Sequence, residues 1–113
     1  MKLETSEESG IGTARLEGSL DGKTVPEVRE QLRPFLAANS KIILDLTKVD
    51  YLSSAGLRLL LLLYREFSAR KGKVVLLGVS EDIRTVMSHT GFLNFFTLAS
   101  SVRFRRPLSK GLS

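Results

Sequence analysis

The stretch Ile43-Leu44-Asp45-Leu46-Thr47-Lys48-Val49-Asp50-Tyr51-Leu52-Ser53-Ser54-Ala55-Gly56-Leu57 joins two hydrophobic periods. Its first residues, with Lys41-Ile42 ahead of them, form a short β-rich apolar run. Such a run predicts a strand over 41–46 buried on both faces. Thr47 to Leu52 reads as a connection. Beyond it Leu57, Leu60, Leu61, Tyr64 and Phe67 recur at i, i+3, i+4 and i+7. That spacing predicts an amphipathic helix over about 55–70, stopped by Gly72. Two serines therefore arrive where a buried strand hands over to a helix.

Working outward, Leu3 and Thr5 alternate with polar neighbours, Ser9-Gly10 is a turn signal, and Ile11 to Leu16 alternates again. Two such runs so close together predict an antiparallel hairpin whose second strand ends near Gly18. Thr24 is a candidate N-cap, with Pro26 tolerated in the first turn. Val25, Val28, Leu32 and Phe35 or Leu36 keep helical spacing, and Pro34 is expected to weaken or kink the end of that helix. Val74-Val75-Leu76-Leu77 reads as another buried strand. Ser80 is placed to cap a third helix, with Glu81 and Asp82 in its first turn where the dipole favours anions. Ile83, Val86 and Met87 form its apolar face and Gly91 its C′ residue. Phe95 to Leu98 is the last predicted strand. The order is β-β-α-β-α-β-α-β. It predicts a single α/β domain over 1–100, a mixed sheet covered by helices, and a separate basic tail over 101–113.

The chain has 113 residues, enough for one core and not for two. Cysteine is absent and His89 is the single histidine, which excludes a disulfide framework and a His/Cys zinc site. The start lacks an apolar segment of secretory type, and the apolar run Leu59 to Tyr64 is too short to span a bilayer. A cytoplasmic protein with no membrane insertion is the expectation. The net charge is +5, but it is unevenly placed. Residues 1–82 hold twelve acidic and twelve basic side chains, and the excess is Arg84, Arg103, Arg105, Arg106 and Lys110. A basic tail on a neutral domain is weak evidence for nucleic acid, so none is expected. The bland reading is a solvated tail; the functional one is contact with an acidic partner or a membrane surface.

Catalytic chemistry finds little support. Ser54, Asp82 and His89 occur in the chain order of an α/β-hydrolase, but Leu52-Ser53-Ser54-Ala55-Gly56 lacks the first glycine of a nucleophile elbow. No phosphate-binding glycine motif is present. Asp21, Asp45 and Asp50 could hold a magnesium ion near strand ends, against the commoner turn and capping roles. The two serines likewise carry two readings. A serine there can cap the helix through its N2 or N3 amide. It can also be an exposed phospho-acceptor, because a phosphate at a helix start meets free N–H groups and the positive dipole end.

The central segment resembles the STAS domain, which sulfate transporters share with bacterial anti-sigma-factor antagonists. Asp45-Leu46-Thr47-Lys48-Val49-Asp50-Tyr51-Leu52-Ser53-Ser54-Ala55-Gly56-Leu57 follows the family pattern D-L-[ST]-x-V-x-[FY]-[ML]-D-S-[SA]-G-L. Gly18-Ser19-Leu20-Asp21 with Thr24, and Val86 to Phe92, supply weaker matches. The resemblance implies a STAS-like fold and a binding module rather than an enzyme, with no cofactor of its own. It implies that Ser54 is the phosphorylation site, with Ser53 the second choice. The unphosphorylated chain would bind an anti-sigma factor that is also a serine kinase and release sigma. Phosphorylation would block binding, and a metal-dependent serine phosphatase would reverse it. The other roles the family offers are a constitutive subunit of a membrane transporter and a scaffold in a signalling complex. Ser53 departs from the pattern, which has Asp there. The basic balance also departs from antagonists, which are often acidic.

The partner surface implied by these matches comprises Asp21, Thr24, Ser53, Ser54, Ala55, Gly56, Arg58, Leu59 and Leu62. Asp45 is expected beside Asp21 and Thr24 in shaping the surface around Ser54. On a helical wheel Leu59 and Leu62 lie away from the Leu57, Leu61 and Tyr64 centre, with Arg58, Arg65 and Glu66. That second apolar strip is either packed under a neighbouring helix or a docking face.

Overall fold

The computed structural model describes residues 1–91 and 96–99. Alternation at the start produces strand β1, Lys2–Glu8, and strand β2, Ile11–Leu20. The turn between them uses Ser9 and Gly10, both at positive φ. They pair antiparallel, from Lys2 opposite Glu17 to Glu8 opposite Ile11. Helix α1 spans Val25–Ala38, strand β3 Lys41–Leu52, helix α2 Ser54–Ala69, strand β4 Lys73–Leu77, helix α3 Glu81–Thr90 and strand β5 Thr97–Ala99. The expected element order holds. The predicted start of the last strand at Phe95 and the whole tail over 101–113 lie outside the described residues.

The five strands stand in the sheet in chain order, β1 to β5, and all neighbours after the opening hairpin are parallel. Right-handed crossovers that always step in one direction place every helix on the same face. The packing agrees. Val28, Leu32 and Phe35 of α1, Leu57, Leu60 and Phe67 of α2, and Ile83 and Met87 of α3 share one core with Ala14, Leu16, Ile42, Leu44, Leu46, Val74 and Leu76. The alternate residues Ile43, Val75 and Leu77 form a second, small cluster on the other face, against Ile11.

Three expectations are corrected. The segment 47–52 is strand, not connection, because β3 continues beside β2: Glu17 pairs with Lys48, Gly18 with Val49 and Leu20 with Leu52. Two register shifts, at Arg15/Glu17 and Gly18/Ser19, break the period-2 signal there. Buried residues consequently fall three apart, at Leu46, Val49 and Leu52. The same shifts let β2 run on to Leu20 rather than stopping near Gly18. Helix α1 runs on through Pro34 to Ala38 and closes at Asn39, where the sequence places its end. Pro34 faces solvent, and buried Leu32 and Phe35 hold the turn in place on either side of it. Val86 is 41% exposed, so Ile83 and Met87 alone carry the buried face of α3.

Helix α2 sits against the end of β2 through one close approach. The Ser53 N–H donates to the Leu20 carbonyl at 3.0 Å. A Cβ on Gly56 would lie 2.6 Å from that same carbonyl oxygen and 2.7 Å from Leu52 Cδ1. Alanine is the better helix former by about 0.5–1 kcal/mol, but a backbone carbonyl in a sheet cannot step aside. Gly56→Ala is therefore expected to destabilise the fold by about 1–3 kcal/mol, the usual range for overpacking. Urea unfolding followed by circular dichroism checks this, and an unchanged or higher midpoint would refute the close-approach argument.

Candidate functional site

The C-terminal ends of β2 and β3 lie side by side, where open α/β sheets present their functional loops. The Leu20–Ser53 bond brings the turn Asp21–Thr24 next to the first turn of α2. That turn is closed internally. Asp21 Oδ1 accepts from the Lys23 and Thr24 amides at 2.9 and 3.2 Å. Thr24 Oγ1 accepts from the Asp21 amide at 3.0 Å and donates to the Ser19 carbonyl at 2.8 Å. Thr24 occupies the N-cap position of α1, but its hydroxyl turns back to β2 and does not cap the helix. Here the structure corrects the capping role expected for Thr24. Ser19 Oγ donates to Asp50 Oδ1 at 3.1 Å, a cross-strand tie just below the loop.

The two serines differ in their surroundings. Ser53 is extended and is the N-cap: its Oγ accepts from the Ala55 amide at 3.2 Å and the Gly56 amide at 3.4 Å. Its carbonyl takes the Leu57 amide at 3.0 Å. Ser54 is the first residue of α2 and is exposed. Among the described residues its hydroxyl has no hydrogen-bond partner. Two of the amides that a phosphate could have met are thus occupied by Ser53. The positive end of the helix dipole and Arg58, one turn further on, remain to receive a negative group at Ser54.

The other expected site residues fall into three groups. Asp21, Thr24, Ala55 and Gly56 lie together around the serines, although Gly56 is buried and acts through backbone approach. Arg58 is exposed and Leu62 half-buried on the outer side of α2. Leu59 is 4% exposed and belongs to the main core. Its side chain is thus mainly a packing one, and its remaining edge lines the furrow between α1 and α2. Leu61 and Tyr64, expected at the centre of the core stripe, are only half-buried. Tyr64 packs edge-on against the Phe96 ring at 5.8 Å. Asp45 also stands apart. It lines a depression of about 400 Å³ with Lys2, Glu4, Arg15 and Lys48 on the helix-free face, so it does not shape the Ser54 surface. Its Oδ1 accepts from the Thr47 amide, a local turn contact. His89 is an exposed residue in the last turn of α3. No group of three or more His, Cys, Asp or Glu residues able to hold a metal occurs among the described residues.

One feature went unread in the sequence, and a second, the strip of Leu59 and Leu62 with Arg58 and Arg65, was read without its α1 wall. Tyr51, two residues before the cap, is 56% exposed at the end of β3. An apolar furrow between α1 and α2 opens next to Ala55 and runs along Val25, Arg29, Arg58, Leu61, Leu62 and Arg65. An aromatic in the strand's last exposed position could have signalled the first; the second requires knowing that α1 and α2 are neighbours.

This chain belongs to the STAS domain family, whose profile matches residues 2–104. A Bordetella bronchiseptica relative, BtrV, named as an anti-sigma factor antagonist, is 35% identical over 106 residues, covering 89% of this chain and 88% of its own. The anti-sigma factor antagonist SpoIIAA in its unphosphorylated form shares the fold with a TM-score of 0.79 at 22% identity, over 99% of both chains. The phosphorylated form of SpoIIAA, a Bacillus cell fate determinant, aligns with a TM-score of 0.70 at 25% identity, over 88% of this chain and 93% of that one. No helix among the described residues is long and apolar enough to cross a membrane.

The division of labour between the serines gives a direct stability test. Ser53→Ala removes the acceptor of two amides and is expected to cost about 1 kcal/mol. Ser54→Ala touches no structural bond and should stay within about 0.5 kcal/mol of the parent. Chemical denaturation of the two variants side by side measures the contrast; equal losses would mean that Ser54 also holds the helix start.

Proposed function

We propose that this chain is an anti-sigma factor antagonist whose partner binding is switched by phosphorylation of Ser54. The observation that carries the reading is the exposed Ser54 hydroxyl at the first position of α2, beside a Ser53 that performs the capping. The relatives named as anti-sigma factor antagonists support it. The partner is an anti-sigma factor acting as a serine kinase. It transfers the terminal phosphoryl group of ATP to Ser54 Oγ, takes up the hydroxyl proton and releases ADP. ATP binds the kinase, so this chain carries no cofactor and performs no turnover alone. A metal-dependent phosphatase returns the serine by hydrolysis of the phosphate ester.

The switch works through charge. A phosphoserine adds about −1.5 to −2 charges at neutral pH. At Ser54 those charges stand on the exposed start of a rigid helix, flanked by the Asp21–Thr24 turn and by Tyr51. A partner seated there must desolvate the phosphate or lose contact. An uncompensated charge buried in an interface is strongly unfavourable, so the complex opens without any change in fold.

Intact-mass measurement and phosphopeptide mapping of the protein from its own cell test the site. One phosphate on Ser54 is the expected result; phosphate on Ser53 moves the site by one residue. Ser54→Ala should keep the kinase partner in a pull-down and Ser54→Asp should lose it. A partner that stays bound to both, with no phosphate under any condition, would identify a constitutive transporter or scaffold subunit instead.

A further inference from the structure

Arg58, Leu61, Leu62 and Arg65 lie at i, i+3, i+4 and i+7 of α2 and so form one stripe along its outer side. Across the furrow α1 contributes Val25 and Arg29, and the enclosed space is about 360 Å³. It continues between the same helices past Leu36 to Glu66, which is its far end. There Arg70 closes the helix pair, donating to the Leu36 carbonyl at 3.0 Å. Leu61 and Leu62 are half-buried, whereas Arg29, Arg58 and Arg65 are exposed.

The charges in this furrow are unbalanced. Among the described residues the one ion pair is Arg33 with Glu30, both exposed; Arg33 and Glu66 line the far part of the furrow, and Glu66 forms no ion pair there. Arg29, Arg58 and Arg65 have no carboxylate partner there. Three guanidiniums gathered around an apolar floor call for anionic groups from outside, spaced to match and carried on an apolar body. Arg58 and Arg65 are seven residues apart, about 10.5 Å along the helix axis at 1.5 Å per residue. Acidic side chains two turns apart on a second helix match that spacing. Apolar side chains between them would reach Leu61 and Leu62, the helix-in-groove mode of recognition. A nucleic-acid backbone would satisfy the arginines but leave the leucines wet.

We propose that the furrow between α1 and α2 docks an acidic amphipathic helix of a protein partner, with Arg29, Arg58 and Arg65 holding its carboxylates and Leu61 and Leu62 its apolar stripe. A phosphate on Ser54 then competes for Arg58, one turn away on the same helix, and loosens the docked segment. This last clause rests on Ser54 being the switch; the docking itself does not.

The test uses the full-length chain labelled with nitrogen-15 and two synthetic helical peptides. Both carry leucines at i, i+3, i+4 and i+7; one has glutamates on both flanks of that stripe, the other lysines. The acidic peptide is expected to shift the amide signals of Arg29, Arg58, Leu61, Leu62 and Arg65, and more weakly as salt is raised. The double variant Arg58→Glu/Arg65→Glu, with its dispersed spectrum intact, should weaken binding at least about tenfold through like-charge contact. The chain carrying phosphoserine at position 54 should bind the acidic peptide several-fold more weakly. Equal response to both peptides, shifts confined to other surfaces, or no response to either would overturn the proposal. So would binding to anionic phosphatidylglycerol vesicles in place of the acidic peptide, which would make the arginines a membrane contact. Phosphopeptide mapping of Ser54 does not involve the furrow, so failure here leaves the switch standing, and failure there leaves the docking standing.

Discussion

A single backbone hydrogen bond, from the Ser53 amide to the Leu20 carbonyl, sets the geometry on which the site depends. It is possible only because Gly56 lets the first turn of α2 come within reach of the end of β2. With that contact made, the turn closed by Asp21 and Thr24 is fixed beside the two serines. The long parallel pairing of β2 with β3 supports it from below, and the Ser19–Asp50 tie bridges the two strands just ahead of it. A surface assembled from two loops thereby gains the rigidity of the sheet. Such positioning suits a protein whose proposed task is to be recognised, because a docking partner then spends little free energy ordering what it binds.

The charges of this chain are unevenly placed. The part up to Asp82 is neutral in sum. Half of its acids lie on β1, in the turn at Asp21 and at the start of α3, while the charged residues along the apolar furrow next to Ala55 are Arg29, Arg58 and Arg65. Net charge therefore says little about what this protein meets, and local charge says more. One end of the domain presents the serine pair, and the furrow leading away from it is cationic. Both features belong to the same helix, so an event at one end of α2 alters the electrostatic setting of the other through a rigid body rather than through a change of shape.

Much of the architecture was legible in the sequence, because hydrophobic period and helix punctuation agreed at each step. Ser80 and Gly91 acted as the patterns implied, and so did Leu57, Leu60 and Phe67 of the α2 stripe. The reading failed where tertiary structure overrides local pattern. Two bulges gave β3 a three-residue burial rhythm that no strand template matches, so half of it looked like loop. Leu59 looked like an outward residue on a wheel drawn from one side, but α2 is covered by both the sheet and α1, and a two-sided helix has no single core direction. Thr24 had the type and place of a cap; its oxygen accepts the Asp21 amide in place of a helix amide, and its proton goes to the Ser19 carbonyl. The serine pair was legible as a site, whereas the assignment of structure to Ser53 and exposure to Ser54 needed the hydroxyl geometry. Arg29 and Arg65 acquire meaning only once two helices remote in sequence are seen to share a furrow.

The capping geometry at Ser53 has a consequence for how information could be written on this surface. The oxygen that secures the helix and the oxygen that faces solvent belong to adjacent residues. Any group esterified to Ser54 leaves the bonds to Ala55 and Gly56 in place. Marking the protein and holding it folded are thus separate operations, carried by separate atoms about one residue apart. The folded population need not change when the mark is added or removed. A molecule built this way can be written and erased many times, since each cycle alters what its neighbours sense and none of the contacts that keep it intact.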